Sequence, residues 1–279
     1  MTEHDKYNSP KTGIHKFVAK YIRNSPGLSG KNVLDIPCGA GRASYELKKR
    51  GANVIALDLF PEFMKPGDIS AEYADLSERL PIESNSIDYI LCQEGIEHIP
   101  NQLNALKEFN RVLKNEGILL ITTPNYSHIR ARLSHFLFET KNWRRLPPTA
   151  YDSVWFTESN TDKLYFGHLF LLGVQHLQIL LTVTGFKVNR RIKTEVGTTS
   201  LILGLGMYPL LVFFTLLSLA FYRRKSLKTK RAKQQGLFWE RIKLNLSPKT
   251  LFCKHIFWEL QKKDTLEEVI FKLKKIQGK

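Results

Sequence analysis

The stretch VLDIPCGAGR, Val33 to Arg42, constrains the fold of this 279-residue chain more than any other. Val33, Leu34 and Ile36 make a short apolar run suited to a buried strand. The run enters a turn carrying Gly39 and Gly41 before a helical segment opens near Ala43. Glycine reaches backbone angles closed to other residues, so the chain can bend sharply here and let a ligand lie against bare main chain at a helix N-terminus. In a dinucleotide fingerprint a third glycine would stand at Ser44 and no acid would close the strand, yet Asp35 closes this one. A carboxylate there repels a pyrophosphate and suits a ligand with an ammonium group and no phosphate.

A second strand, NVIALD, ends at Asp58, twenty-three residues after Asp35 and placed to accept both hydroxyls of a ribose. With these features the sequence resembles the class I S-adenosylmethionine (SAM)-dependent methyltransferases, and the likeness continues for about a hundred residues. YADLSERLPIESNSIDYILCQEGIEHIP is similar to that family's third and fourth strands, and NALKEFNRVLKNEGILLITTPN to the helix and fifth strand that come next, with Gly117 in the turn. The resemblance implies SAM as cofactor. It implies that Asp75 receives the adenine amino group with Leu76 near the ring, that Leu59 follows Asp58 at the nucleoside, and that Gln93 faces the methionine part. Pro37 stands where the family has its first glycine, so the binding turn of Asp35, Pro37, Gly39 and Gly41 departs from the family pattern at one place.

From Val33 to Asn125 strands and helical segments alternate, which requires parallel pairing through right-handed crossovers. The expected architecture is α/β: a doubly wound, mostly parallel, Rossmann-like seven-stranded sheet with an antiparallel last strand, plus a hydrophobic helical insertion. Ile14 to Asn24 places Phe17, Val18, Tyr21 and Ile22 on one helical face, and in the resembled family such a leading helix covers the cofactor. Tyr126 to Gly167 is long, aromatic and basic, with Pro147 and Pro148 interrupting any helix, and reads as a lid or substrate-binding insertion. HLFLLGVQHLQILLTVTGFKV then resembles the last helix and sixth strand.

Leu201 to Tyr222 is a run of twenty-two residues without a charge. As a helix it would measure roughly 33 Å, enough to cross a hydrocarbon core of about 30 Å. Seven basic residues succeed it within Arg223 to Lys233, a composition suited to anionic lipid headgroups. A single crossing would place the rest of the chain on the other side. Yet Thr250 to Lys262 resembles the family's seventh strand, which pairs antiparallel beside the sixth at Phe186 to Ile192, and neighbours in one sheet share one side of a membrane. The run is therefore expected to enter and leave on the cytoplasmic face, with Gly204, Gly206 and Pro209 as places for a bend or a shallow interfacial helix. The plainer alternative is a buried core helix. The division that results is 1–195 for the SAM-binding core with the 126–167 insertion, 196–249 for the membrane-associating insertion and its basic flank, and 250–279 for the last strand and a C-terminal amphipathic helix. That last helix places Leu266, Val269, Ile270, Leu273 and Ile276 on one face, to pack on the domain or to make a second membrane contact.

Lysine and arginine outnumber the acids by 42 to 26, a net charge of +16 that predicts an anionic partner: nucleic acid, phospholipid or a phosphorylated substrate. Cys38, Cys92 and Cys253 are few, scattered and without metal-ligand spacing, so no metal is expected and a reduced compartment is the simplest setting. Cys38 reads as a small side chain in a tight turn. The opening MTEHDKYNSPK does not read as a secretion signal.

Methyl transfer from a sulfonium is an in-line displacement, for which a protein supplies orientation and exclusion of water. For a hydroxyl acceptor a histidine near neutral pH can take the proton. His98 lies where the pocket opens in resembled enzymes, and His168 is the second candidate. The plainer role for His98 is to fix a turn, while His128 and His135 read as solvated lid residues.

Three functions fit. The first is O-methylation of a lipid-linked or amphiphilic acceptor at the cytoplasmic membrane face, such as a polyprenyl-linked glycan, a quinone precursor or a lipid headgroup. The second is a nucleic-acid methyltransferase, which the charge suggests, although QEGIEH stands where exocyclic-amine enzymes carry an Asn/Asp-Pro-Pro-aromatic motif. The third is a membrane-anchored binding protein without catalysis.

Overall fold

The computed structural model describes residues 12–65, 67–141, 149–155, 164–227 and 235–277. The polar opening 1–11, Pro147, Pro148 and residues 228–233 of the basic run lie outside the described residues, as do the side chains of Arg223, Arg224 and Lys225.

Along a strand successive side chains point to opposite faces, and this sequence supplies apolar residues to both. Leu34, Ile90, Cys92, Leu119, Ile121 and Trp258 pack on one side, whereas their neighbours Val33, Leu91, Leu120 and Phe257 pack on the other. A sheet with two apolar faces needs a helical layer over each. The chain runs through α1 (Gly13–Asn24), β1 (Asn32–Asp35), α2 (Arg42–Lys49), β2 (Asn53–Asp58), β3 (Ala71–Tyr73), β4 (Ile87–Gln93), α3 (Gln102–Val112) and β5 (Leu113–Pro124). It continues through α4 (Ile129–Phe138), α5 (Ala150–Ser153), a small hairpin of β6 (Val154–Trp155) and β7 (Tyr165–Phe166), then α6 (Val174–Val183) and β8 (Phe186–Arg191). The last elements are α7 (Thr198–Leu227), α8 (Gln235–Leu246), α9 (Pro248–Phe252), β9 (His255–Lys262) and α10 (Leu266–Gln277). Ile14, Val18 and Ile22 of α1 and Leu47 of α2 cover one face. Leu106 and Phe109 of α3, Leu177 and Leu181 of α6 and Leu244 of α8 cover the other.

The main sheet has seven strands in the order β3-β2-β1-β4-β5-β9-β8. The first five pair in parallel, and β9 runs antiparallel to both β5 and β8. The order reverses between β1 and β4, which opens a crevice at the carboxyl ends of those strands. The seventh strand begins at His255 and not at Thr250. Pro248 takes the first position of a short helix after Ser247, where its fixed φ and missing N–H suit a helix start.

Between β8 and β9 the chain makes the excursion α7–α8–α9 and returns to the same sheet. Helix α7 runs without a break through Pro209, so that residue does not divide it into two helices. One helix among the described residues, Thr198–Tyr222, is long and apolar enough to cross a membrane, with a mean hydropathy of 2.1. Only 11% of its apolar window is buried, which rules out the buried core helix. Its N-terminal turns are seated on the domain: Gly197 N–H donates to Phe252 O, and a Cβ at Gly204 would come within 2.7 Å of the Phe252 ring. Further along, Leu219 is buried and Thr215 receives the Asn245 amide from α8. The remaining surface shows Ile202, Leu205, Phe213, Phe214 and Phe221 to the outside, Leu205 at 84% exposure. Helix α10 buries Val269 and leaves Ile270, Phe271 and Ile276 exposed, so its apolar face is only partly covered by the domain.

The turn from α6 into β8 is fixed by Gly185 (φ 85°), whose missing side chain admits Asp264 O to 2.1 Å from an ideal Cβ. Asn110 of α3 donates to Thr184 O and Asp264 O across the same turn. Gly185→Ala therefore meets backbone in a left-handed conformation. The expected loss is roughly 2–4 kcal/mol, read as a lower urea midpoint with an unchanged denaturant slope.

Candidate active site

A cavity of about 420 Å³ lies at the carboxyl ends of β1, β2 and β4. Its walls are Ile36 and Pro37 after β1, Asp58 to Phe60 at the end of β2, Ala74 to Glu78 after β3, and Glu94, Gly95 and His98 to Pro100 after β4, closed by Leu164, Tyr165 and Phe166 of the hairpin. Its size and mixture of apolar walls with a few carboxylates are those of a small-molecule site.

Asp58 organises one end. Its Oδ2 accepts the Gly39 N–H at 2.7 Å and its Oδ1 accepts the Phe60 N–H at 2.9 Å. Burial raises its pKa and these amides oppose the rise. Each carboxylate oxygen retains a further lone pair for a ligand hydroxyl. Gly39 (φ 51°) and Gly41 (φ 76°) take the left-handed angles that bend the chain from β1 into α2. Asp75, held by the Ser77 N–H at 2.7 Å, and Leu76 line the same cavity from the loop after β3.

Thus Pro37, Asp58, Leu59, Asp75, Leu76 and His98 meet in one cavity, whereas Asp35, Gly39, Gly41, Gln93 and His168 stand off its wall. Asp35 is buried behind the turn. Ser44 Oγ donates to its Oδ2 at 2.5 Å, and its Oδ1 has no partner among the described residues. Burial pushes its pKa up to about 7, with nearby Asp58 adding to the rise. Gln93 is half-buried at the end of β4, its amide 2.5 Å from Nδ1 of His15 on α1. His98 Nδ1 donates to Phe166 O at 2.8 Å and its ring meets that of His168 edge-on at 4.8 Å. His128 is buried, capping α4 by accepting the Ala131 N–H, so it is not a solvated lid residue. The Cys38 thiol is held far above its ordinary range by burial and the neighbouring carboxylates, which makes it a poor nucleophile.

Sequence reading misses the far wall. Leu164, Tyr165 and Phe166 come from the aromatic insertion, and Tyr165 packs edge-on against Phe60 at 5.5 Å. It also misses Glu94, which occupies a left-handed conformation (φ 51°) uncommon for a non-glycine residue. Its carboxylate is held by Thr122 Oγ1 at 3.0 Å and His255 Nδ1 at 3.1 Å. Local strain of this kind is held only where surrounding contacts enforce it.

Residues 34–121 match the family model described as a methyltransferase domain. The ubiquinone biosynthesis O-methyltransferase of Psychrobacter cryohalolentis is 32% identical over 110 residues, covering 36% of this chain and 43% of that protein. The enzyme of the same name from Xanthomonas oryzae pv. oryzae is 33% identical over 114 residues, covering 38% and 48%. The matches thus span less than half the length of these curated relatives. In fold, the chain is similar to a SAM-dependent methyltransferase from Archaeoglobus fulgidus (TM-score 0.52, 14% identity, 89% of this chain and 93% of that one). It is likewise similar to the YcgJ protein of Bacillus subtilis (TM-score 0.52, 16% identity, 90% and 99%).

Two substitutions test this geometry. A Cβ at Gly95 would lie 2.4 Å from Pro37 Cδ, a ring atom that cannot swing aside. Gly95→Ala is therefore expected to displace the cavity wall and weaken nucleoside binding at least about tenfold in calorimetry, a change of about 1.4 kcal/mol. Asp35 has its folded pKa above the ordinary 3.8, so its stabilising contribution is complete below pH 4 and is lost as pH rises through about 7. Asp35→Asn should remove about 4 kcal/mol of pH dependence from the ligand-free protein across that window, measured by denaturation at a series of pH values.

Proposed function

We propose that this chain, whose core is a class I SAM-dependent methyltransferase domain, methylates a hydroxyl of an amphiphilic acceptor that it meets at a membrane surface. The observation that carries the reading is the cavity at the switch point of the sheet, lined by Asp58 at the end of β2, Asp75 after β3 and apolar side chains that include Ile36, Leu76 and Ile99. This donor set fits SAM: Asp58 for the ribose hydroxyls, Asp75 for the adenine amino group, Ile36, Leu76 and Ile99 along the base. Asp35 is buried behind the turn, its Oδ1 without a partner among the described residues and its pKa raised to about 7, so a cation in front of it would favour its ionised form. When bound, SAM supplies an electrophilic methyl group. The chain itself orients the reactants and keeps water out. Tyr165 and Phe166 close the cavity from the hairpin, and Glu94 and His98 are the polar groups that the segment after β4 offers to an acceptor.

The relatives' name supports an oxygen acceptor and a quinone-like amphiphile. The outward apolar surface of α7 supports a membrane. Because the chain returns from α7 to β9 between β5 and β8, the helix fits one leaflet better than a crossing. The basic residues beyond it would meet anionic headgroups there.

Purified protein should bind SAM in calorimetry, and Asp58→Ala should weaken binding about 100-fold or more, equivalent to about 2.7 kcal/mol. Leu205→Arg together with Phe213→Arg should leave SAM binding intact while abolishing sedimentation with anionic vesicles. With labelled SAM and a membrane lipid extract the label should enter the organic phase. Label found only in a water-soluble product would contradict the acceptor class.

A further inference from the structure

A second cleft, of about 1020 Å³, shares no lining residue with the nucleoside cavity. Phe17, Lys20 and Tyr21 of α1, Arg190 of the edge strand β8, Lys193 beyond it and Lys249 of α9 all line it. Tyr21 Oη donates to Glu259 Oε2 at 2.9 Å, and Arg190 Nε donates to the same oxygen at 2.8 Å. The Arg190 guanidinium also lies 5.7 Å from the centre of the Tyr21 ring. These contacts tie α1 to β8 and β9, so the cleft is held between fixed elements. Burial and the Glu259 bond push the Tyr21 hydroxyl up to about 12, so it stays protonated and adds no negative charge.

Charge in the cleft is unequal. Arg190 is offset by Glu259, and Glu195, the one acid among the lining residues, is paired with Lys254. Lys20 and Lys193 are exposed and have no hydrogen bond or ion pair among the described residues. Lys249 Nζ donates to Arg191 O at 2.5 Å, a neutral carbonyl, and so keeps its charge and two further protons. Three positive charges are therefore left without counter-charges beside the aromatic rings of Phe17 and Tyr21. They repel one another, and an anion among them relieves the repulsion.

The place of the cleft selects the anion. Val196 lines it and pairs with Cys253, and α7 begins two residues later at Thr198. Leu201 and Ile202 at the start of that helix are 47% and 70% exposed. With a rise of about 1.5 Å per residue, they stand roughly 5 Å along the helix from its first residue. An interfacial helix sinks its apolar face about 5–10 Å into the boundary between headgroups and acyl chains, so a cleft at the foot of α7 falls at the level of the lipid phosphates. We propose that this cleft binds the phosphate of an anionic phospholipid among Lys20, Lys193 and Lys249, with Phe17 and Tyr21 beside the apolar part of the lipid. The inference rests on α7 lying on a membrane, and it adds to that reading a lipid site on the domain itself. The cleft and the basic run of residues 223–233 flank opposite ends of α7, which suits a helix lying along the surface.

The test uses full-length protein and dihexanoyl-phosphatidylglycerol below its micelle concentration, a soluble anionic phospholipid that reports on the cleft without a bilayer. Wild type should bind it in calorimetry, and Lys20→Gln together with Lys193→Gln should weaken that binding at least about tenfold. Lys49→Gln together with Lys107→Gln removes the same charge from exposed positions outside the cleft. That control should change lipid binding less than about threefold, and SAM affinity should stay within about threefold in both double variants. No binding by wild type, or an equal loss in the two double variants, overturns the site. Inorganic phosphate or a single-stranded RNA oligonucleotide bound as tightly as the lipid overturns a phospholipid as its occupant. Vesicles separate this result from the reading beneath it. Wild type that fails to sediment with phosphatidylglycerol vesicles overturns the membrane association of α7, whereas wild type that sediments but binds no short-chain lipid overturns the cleft alone.

Discussion

One carboxylate holds the binding end of this molecule together. Asp58 at the end of β2 accepts the amide of Gly39 in the turn after β1 and the amide of Phe60 beyond its own strand. Those two bonds fix the first glycine turn against the neighbouring strand end and aim the remaining lone pairs into the cavity. The turn depends on Gly39 and Gly41 in left-handed conformations, and it buries Asp35 behind them on the hydroxyl of Ser44. A carboxyl group is therefore held where water cannot reach it, its ionised form disfavoured, and a cationic or donor-rich ligand would favour that form again.

The second constraint is topological. Strand β9 lies between β5 and β8, so everything from α7 to α9 is an excursion that must return to its starting side. This accounts for a helix long and apolar enough to cross a bilayer yet seated on the domain through Gly204, Thr215 and Leu219. Its exposed leucines and phenylalanines and the partly uncovered apolar face of α10 leave the domain with two outward apolar surfaces. Tyr165 and Phe166 of the hairpin, from a segment far along the chain, complete the cavity begun by β1 and β2.

Much of this is legible in the sequence because it depends on period and punctuation. The continuous apolar runs of β1, β4 and β5 announce strands buried on both faces, and the glycines mark the turn that opens the cavity. Asp58, Asp75 and Leu76 can be placed because they close strands or come directly after them. The features that escape sequence reading depend on distant contacts. The burial of Asp35 needs Ser44, the left-handed Glu94 needs Thr122 and His255, and the meeting of His98 with His168 needs the insertion folded back on β4. The start of β9 also escapes it, because residues 250–252, strand-like by composition, belong to the short helix that Pro248 begins.

The most direct test of the account is a crystal structure with S-adenosylhomocysteine, the product expected of SAM. Both ribose hydroxyls should lie about 2.5–3.0 Å from the Asp58 oxygens, with the adenine between Leu76 and Ile99 and its amino group at Asp75. A nucleoside bound elsewhere, or one in this cavity whose ribose makes no contact with Asp58, would contradict it.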